Sequence, residues 1–302
     1  MAKRETKRQV FILAVLLVMY CAAAGCGSTK EQKIAIGSKN FTEQLILGNM
    51  YAELIEANTD LKVERKFNLG GTQPCYEALK NDAIDLYIEY SGTVDLTILK
   101  NQFEILPNEE VIKRITKQMK EKDNIVVLDE IGFNNAYCVA VSPELARKDG
   151  ITKISDLEKY KGELRFSPSI EFVNREDGLQ SLKNKYDLEF KEVTPMEGGL
   201  KYVALESGET DIVGAFSTDG MLKKYELDVL EDDRQALVQY RAVPLVKGDT
   251  LEKYPKLKDT LDMLTGKLTD SRMAELNYKV DEERCKPENV AIDFLKENGL
   301  IK

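Results

Sequence analysis

The sequence predicts an α/β protein built as two lobes of similar design, and three observations support this prediction. Short apolar runs alternate with helical patterns along the chain, as in α/β proteins with mainly parallel sheets. About 270 residues follow Lys33, which is near the size at which one hydrophobic core splits into two. Two distant stretches also share one order of helix, turn and strand.

The first predicted unit starts with a strand at Lys33–Gly37 and continues through a loop at Ser38–Phe41. Thr42 then has the residue type and position of an N-cap. The helix that follows has its apolar positions at Leu45, Leu47, Met50, Leu54 and Ile55. Further strands are predicted at 84–90, 137–141, 164–167 and 211–216.

An internal similarity supports the two lobes. The segment 76–93 aligns without gaps on 202–219, and five of the eighteen positions are identical. In each copy a helix ends in a polar turn, an Asp starts a strand, and an aromatic residue followed by Ser ends it. Tyr90 and Phe216 occupy matching positions, both at the carboxyl end of a strand, where open α/β sheets bind ligands.

The amino terminus has the pattern of a secretory signal peptide over residues 1–25. Basic side chains in residues 1–8 precede an almost wholly apolar run from Val10 to Gly25. The run ends in small residues before Cys26 and resembles a bacterial lipoprotein processing box, although Ala23 stands where Leu is usual. We therefore expect Cys26 to be lipidated, residues 26–32 to form the lipidated cysteine and its tether, and the protein to be extracytoplasmic. The alternative, an uncleaved single-pass helix, would need roughly 20 apolar residues.

Charge and cysteine content exclude several classes of function. Without residues 1–25 the chain has 39 basic and 51 acidic side chains, a net charge of −12, which argues against nucleic acid. No later segment has the length of a membrane span. The chain has no histidine, and Cys75, Cys138 and Cys285 show no CxxC spacing, so we predict no metal site. We interpret these three as free, mostly packed thiols, while a disulfide between two of them stays open.

Over nearly its whole length after the tether, the chain resembles the extracellular binding proteins of ABC transporters for quaternary ammonium osmoprotectants. The resemblance rests on short motifs in the right order and spacing: Gly37–Glu43, Leu69–Thr72, Ile84–Thr93, Gly132–Asn135 with Tyr137, Glu171–Phe172 with Arg175 and Asp177–Gly178, Ala215–Gly220, and Leu276–Asp281. It implies a two-lobed periplasmic-binding-protein fold of type II, with the ligand in the interlobe cleft. The implied ligands are glycine betaine, carnitine and choline.

The resemblance implies an aromatic box for the trimethylammonium group, with walls at Tyr90, Tyr137, Phe216 and Tyr240. Such a group is positively charged but has no N–H to donate, so aromatic faces suit it better than carboxylates or water. Phe216 stands where many relatives have tyrosine, and it keeps the ring face without the hydroxyl. The backbone carbonyl of Asn135 is expected to add partial negative charge to the box.

The same resemblance assigns the carboxylate end of a betaine to Lys39, Thr93 and Arg175. All three side chains can donate hydrogen bonds, and arginine can bind both carboxylate oxygens. A site for choline alone would be expected to lack part of this set, so its presence favours glycine betaine or carnitine. The tyrosines that the motifs do not select are expected to be packing residues: Tyr51, Tyr76, Tyr87, Tyr202 and Tyr278.

The predicted first lobe comprises 33–133 plus 239–302, and the second comprises 134–238. We expect a monomer that closes around its ligand, needs no cofactor, and delivers the ligand to an ABC transporter permease with its ATPase. Three alternatives stay open at this point: a binding protein for an amino acid or another small polar solute, a two-lobed enzyme, and a surface interaction module. The enzyme is disfavoured because the sequence has no histidine and no GxSxG, GxxxxGK[ST] or GxGxxG motif.

Overall fold

Two five-stranded mixed sheets form the framework of the computed structural model, which describes residues 32–196 and 198–302. The first sheet consists of β1 (Lys33–Gly37), β2 (Lys62–Lys66), β3 (Leu86–Tyr90), β4 (Ile125–Val127) and β10 (Ala242–Lys247). The second consists of β5 (Tyr137–Val141), β6 (Arg165–Ser167), β7 (Glu192–Val193), β8 (Ile212–Phe216) and β9 (Asp228–Val229). The predicted signal peptide, Cys26 and all of the tether except Gln32 lie outside the described residues.

The two sheets have the same topology. Their strand orders are β2-β1-β3-β10-β4 and β7-β6-β8-β5-β9, and the fourth strand in each order is antiparallel to both of its neighbours. The remaining pairs are parallel. The predicted α/β fold with two similar halves is therefore confirmed.

Helices surround both sheets. The α-helices are α1 (Thr42–Asn58), α2 (Thr72–Lys80), α3 (Ser91–Thr93), α4 (Asn108–Asp123), α5 (Pro143–Asp149), α6 (Ile170–Asn174), α7 (Ser181–Tyr186), α8 (Leu200–Glu206), α9 (Gly220–Lys224), α10 (Gly248–Lys253), α11 (Lys256–Leu261), α12 (Asp270–Asp281) and α13 (Pro287–Glu297). Two π-helical segments, Val94–Ile98 and Glu176–Gln180, and two 3₁₀ segments, Ile154–Tyr160 and Asp262–Leu264, complete the set. Among the described residues, no helix is both long and apolar enough to cross a membrane.

The aspartates that the internal similarity aligned have matching structural roles. Asp85 accepts a hydrogen bond from the backbone N–H of Ala35 in β1 at 2.7 Å. Asp211 accepts one from the backbone N–H of Arg165 in β6 at 2.8 Å. Each aspartate joins its own strand to the neighbouring parallel strand, so β3 and β8 begin just after these residues instead of at them.

The predicted N-cap at Thr42 is wrong. Phe41 occupies the N-cap position in extended conformation, and Thr42 is the first residue of α1. The Thr42 hydroxyl donates instead to the carboxylate of Asp281 at the end of α12. A tertiary contact that spans most of the chain has therefore replaced the local cap.

Two chain segments cross between the sheets side by side. Asn134 and Arg241 form an antiparallel bridge, and the N–H of Asn135 donates to the carbonyl of Tyr240 at 3.0 Å. The side chain of Asn134 accepts from the N–H of Tyr240 at 2.6 Å and donates to Gln239 at 3.0 Å. These bonds make the crossing a short two-stranded ribbon that holds the beginnings of β5 and β10 in place.

The three cysteines of the described residues are free thiols, as predicted. Cys75 and Cys138 are buried and Cys285 is exposed. Burial raises the pKa of Cys75 to about 11 and that of Cys138 to about 12. Both buried thiols are therefore protonated at neutral pH and act as small packing groups.

Candidate functional site

One cavity of about 700 Å³ lies between the two sheets, and all eight predicted ligand-binding residues line it. They are Lys39, Tyr90, Thr93, Asn135, Tyr137, Arg175, Phe216 and Tyr240. The topology explains this convergence, because in each sheet a parallel strand ends where its antiparallel neighbour begins. Phe216 at the end of β8 pairs with Tyr137 at the start of β5, and Tyr90 at the end of β3 pairs with Ala242 at the start of β10.

Three of the four predicted aromatic walls are grouped around Tyr137. Its ring centroid lies 4.8 Å from that of Phe216 in a stacked pair and 6.1 Å from that of Tyr240, edge to face. Behind these walls, Phe172 packs against the Tyr137 ring at 4.9 Å. Such packing fixes the ring orientations, because a rotation of Tyr137 would disturb three aromatic neighbours.

Tyr90 forms the wall on the side of the first sheet. Its ring is stacked on that of Phe41 with centroids 6.5 Å apart, and the Nζ atom of Lys39 lies 5.0 Å from its ring centre. The Tyr90 hydroxyl donates to Glu43 Oε1 at 2.5 Å and accepts from Gln44 Nε2 at 3.0 Å. Burial, together with the charge of Glu43, raises the pKa of Tyr90 well above its ordinary value.

The two predicted cations of the carboxylate end are already ion-paired. Lys39 Nζ is bound to the carboxylate of Glu89, whose side chain is completely buried. The guanidinium of Arg175 binds both carboxylate oxygens of Asp177, at 2.7 and 2.9 Å, and donates to the Tyr240 hydroxyl at 2.5 Å. Burial lowers the pKa of Arg175, but the hydrogen bonds with Asp177 outweigh it, and the net pKa shift is upward.

The remaining two predicted residues, Thr93 and Asn135, also lie in the cavity wall. Thr93 ends the one-turn helix α3, which follows β3 directly. Asn135 lies in the crossing ribbon, and its side-chain amide donates to Glu43 Oε1 at 2.9 Å. The unselected tyrosines Tyr51, Tyr76, Tyr87, Tyr202 and Tyr278 are absent from the cavity lining, and the first four are buried.

The cavity is also lined by acidic and amide residues that were not predicted as ligand-binding residues. They are Glu43, Glu171, Asp219, Asn277 and Asp281. Burial raises the pKa of Glu43 and that of Asp281. Glu43 and Asp281 are the last residues of two motifs that carry the family resemblance, Gly37–Glu43 and Leu276–Asp281. Their place in these motifs is the sequence feature that could have indicated them.

One family model and several known proteins match most of this chain. The family model described as the substrate-binding domain of ABC-type glycine betaine transport system matches residues 32–297. The carnitine transport binding protein OpuCC of Listeria monocytogenes is 34% identical over 97% of this chain and 96% of its own length. A glycine-betaine-binding protein of Pseudomonas aeruginosa is 32% identical over 94% of both chains.

Two further comparisons concern ligand range and fold. The ergothioneine transport permease/ergothioneine binding protein EgtU of Helicobacter pylori is 32% identical over 99% of this chain and 54% of its own length. A crystal structure of a glycine betaine/carnitine/choline ABC transporter covers 90% of this chain and 100% of that one, with 30% identity and a TM-score of 0.84.

Proposed function

Since this chain belongs to the family of substrate-binding domains of ABC-type glycine betaine transport systems, we propose that it captures glycine betaine or a related quaternary ammonium compound. The family consists of binding proteins of transporters and not of enzymes, and its members work outside the cytoplasm. The chain therefore delivers a small molecule to an ABC transporter. What we propose is the ligand, the residues that bind it, and the mode of membrane attachment.

The observation that carries the proposal is the convergence of four aromatic side chains on one cavity: Tyr90, Tyr137, Phe216 and Tyr240. A trimethylammonium group is surrounded by methyls, so it gains from ring faces and from the exclusion of water. Each well-placed ring contributes roughly 0.5–2 kcal/mol. Four rings around one cation therefore account for recognition without any hydrogen bond to the ammonium group.

The other end of a betaine is a carboxylate, and we assign it to Lys39, Thr93 and Arg175. Arg175 contacts the Tyr240 hydroxyl, so the cationic end of the cavity and the aromatic box share a wall. A betaine has its two charges a few atoms apart and can reach both. Choline has no carboxylate and would use the box alone.

Ligand capture by closure of two lobes is part of the proposal. We place the first lobe at 33–133 and 239–302 and the second at 134–238, with the ribbon of Asn134–Ala136 and Tyr240–Arg241 as the hinge. A ligand held between the lobes favours the closed form by its contacts to both. We further propose that the protein is a monomer and that Cys26 carries a lipid anchor.

A larger betaine is a second candidate ligand. The cavity of about 700 Å³ is within the range of pockets for drug-sized molecules, about 300–1,000 Å³. The Helicobacter pylori relative is named as an ergothioneine binding protein. Ergothioneine is a trimethylammonium betaine with a ring attached. The size of the cavity and the name of this relative together support ergothioneine as a candidate ligand of this chain.

Calorimetric titration of residues 27–302 tests the ligand. The panel is glycine betaine, carnitine, choline and ergothioneine, with ectoine and proline as ligands that lack a trimethylammonium group. We expect binding of at least one quaternary compound and weaker or no binding of proline. If no quaternary compound bound, the aromatic box would not be the recognition site. For the anchor, Cys26→Ser in the full chain should shift the protein from the membrane to the soluble fraction.

A further inference from the structure

Glu43 is a buried acidic residue in the wall of the ligand cavity. It lies in the first turn of α1, its relative exposure is 2%, and it faces the space between the two sheets. Burial raises its pKa, and no described cation pairs with it. A carboxylate so deprived of water costs stability, so its presence here calls for a function.

Three donors from distant parts of the chain converge on this carboxylate. The Tyr90 hydroxyl at the end of β3 donates at 2.5 Å, and Asn135 Nδ2 in the crossing ribbon donates at 2.9 Å. Asn277 Nδ2 in α12 donates at 3.2 Å. The carboxylate therefore joins an aromatic wall of the cavity, the crossing between the sheets, and a C-terminal helix.

The orientation of both amides follows from the chemistry of Glu43. Both oxygens of the Glu43 carboxyl group accept hydrogen bonds, so Asn135 and Asn277 present their NH₂ groups to it. Their Oδ1 atoms are then turned away from Glu43, and no group in the described part of the chain donates to them.

The second amide hydrogen of Asn277 connects the network to the other sheet. It donates to the backbone carbonyl of Thr218 at 2.9 Å, two residues beyond the end of β8 and Phe216. The helix that carries Asn277 also touches α9 closely, because a Cβ on Gly220 would lie 2.9 Å from the backbone of Tyr278. A chain of contacts thus runs from Tyr90 through Glu43 and Asn277 to the strand end that carries Phe216.

We propose that Glu43 is a positioning residue for the ligand site, which fixes the Tyr90 wall and couples it to the opposite lobe through Asn135 and Asn277. The inference rests on the proposed function, because it assigns a role in the same cavity. Glu43 acts through its neighbours, and the rings make the contact with the ammonium group.

The first experiment needs no ligand. Amide-hydrogen exchange of the full-length protein is compared between the native chain and Glu43→Gln. We expect faster exchange in 88–92, 133–137 and 274–278 and unchanged exchange elsewhere in both sheets. Glu53→Gln is the matched control, because Glu53 lies on the same helix, pairs with Arg65 and does not line the cavity.

Unchanged exchange in the three segments would overturn the proposal. Faster exchange across the whole chain would overturn it as well, because Glu43 would then stabilise the fold in general. This readout stays decisive even if no quaternary compound binds, so failure of the proposed function and failure of this inference are distinguishable.

The second experiment asks whether Glu43 acts through Tyr90. We expect Glu43→Gln to weaken the binding of glycine betaine and of choline by the same factor, about tenfold, since the shared aromatic wall moves. Tyr90→Phe keeps the ring and removes the hydroxyl, and the double variant should lose no more than the larger single loss. If the two losses multiplied in the double variant, Glu43 would not act through Tyr90.

Discussion

Replacing Arg175 by alanine should separate ligands with a carboxylate from those without one. In the structure the Arg175 guanidinium borders the cavity, binds both oxygens of Asp177, and donates to the hydroxyl of Tyr240. We expect Arg175→Ala to weaken glycine betaine strongly and to leave choline almost unchanged. The reason is that choline has no carboxylate with which the guanidinium could form a charge-assisted hydrogen bond.

The size of the loss follows from the contacts that Arg175 already makes. A hydrogen bond to a charged partner contributes about 1.5–3 kcal/mol. Because Asp177 already neutralises part of the guanidinium charge, the lower half of this range applies, which corresponds to a loss of roughly 10- to 40-fold for glycine betaine. After the substitution Asp177 keeps its negative charge near the box, so choline, a cation, should not lose affinity.

The same substitution also affects folding. The Asp177 side chain is 5% exposed and would lose its cationic partner, and breaking a buried ion pair on one side costs about 3 kcal/mol at the lower end of its range. Urea unfolding should show this loss. Adding Asp177→Asn to Arg175→Ala should recover much of the stability without recovering the affinity for glycine betaine.

The matched control is Arg165→Ala. Arg165 makes a similar two-point contact with Asp211, at 2.8 and 2.9 Å, but it does not line the cavity. Calorimetric titration of both variants with glycine betaine and choline decides the outcome. Equal losses for the two ligands in Arg175→Ala, or the same discrimination in Arg165→Ala, would refute the assignment of the carboxylate end.

Three further predictions test other parts of the molecule. Tyr137→Ala should weaken every quaternary ligand by at least about tenfold in titration calorimetry, because three aromatic neighbours lose their partner; Tyr225→Ala, which removes a stacked ring outside the cavity, should not. Lys39→Met should lower the unfolding free energy by about 3 kcal/mol because Glu89 is left buried and unpaired, whereas Lys161→Met at an exposed pair should change it too little to measure. The unfolded chain releases thiol protons above a pH of about 9, while burial raises the pKa of Cys75 to about 11 and of Cys138 to about 12. The stability that the two protonated thiols contribute is therefore complete below pH 9 and declines as the pH rises through 11 to 12. A Cys75→Ala/Cys138→Ala variant should show a flatter pH profile of the unfolding free energy in urea.

The sequence predicted the elements that depend on local patterns. The strands at Lys33–Gly37 and Tyr137–Val141 have the predicted bounds, and those ending at Tyr90 and Phe216 begin one or two residues late. The late starts follow from Asp85 and Asp211. The side-chain carboxylate of each accepts a backbone N–H of the neighbouring strand, so regular strand pairing begins only after these residues. Such a contact depends on which strands become neighbours, and local propensity does not contain that information.

The cavity likewise has features that follow from local sequence patterns and features that depend on contacts between distant residues. Residues at strand ends converge because both sheets have one topology, and this could be predicted from the repeated pattern around Tyr90 and Phe216. Thr42 contacts Asp281 across 239 positions of the chain, and Glu43 contacts Asn277 across 234 and Tyr90 across 47. Hydrogen-bond networks between such distant residues leave no periodic signal in the sequence.

The pairing of both cations with internal carboxylates changes what the site is expected to select. Free cationic side chains would attract any anion, but Lys39 and Arg175 already neutralise Glu89 and Asp177. A lone anion would gain little from such paired cations and would still lose its water. A betaine gains from the rings at one end, and its carboxylate needs only the remaining donors at the other. We infer that the aromatic box supplies most of the binding energy and that the cationic end mainly sets which quaternary compound is preferred.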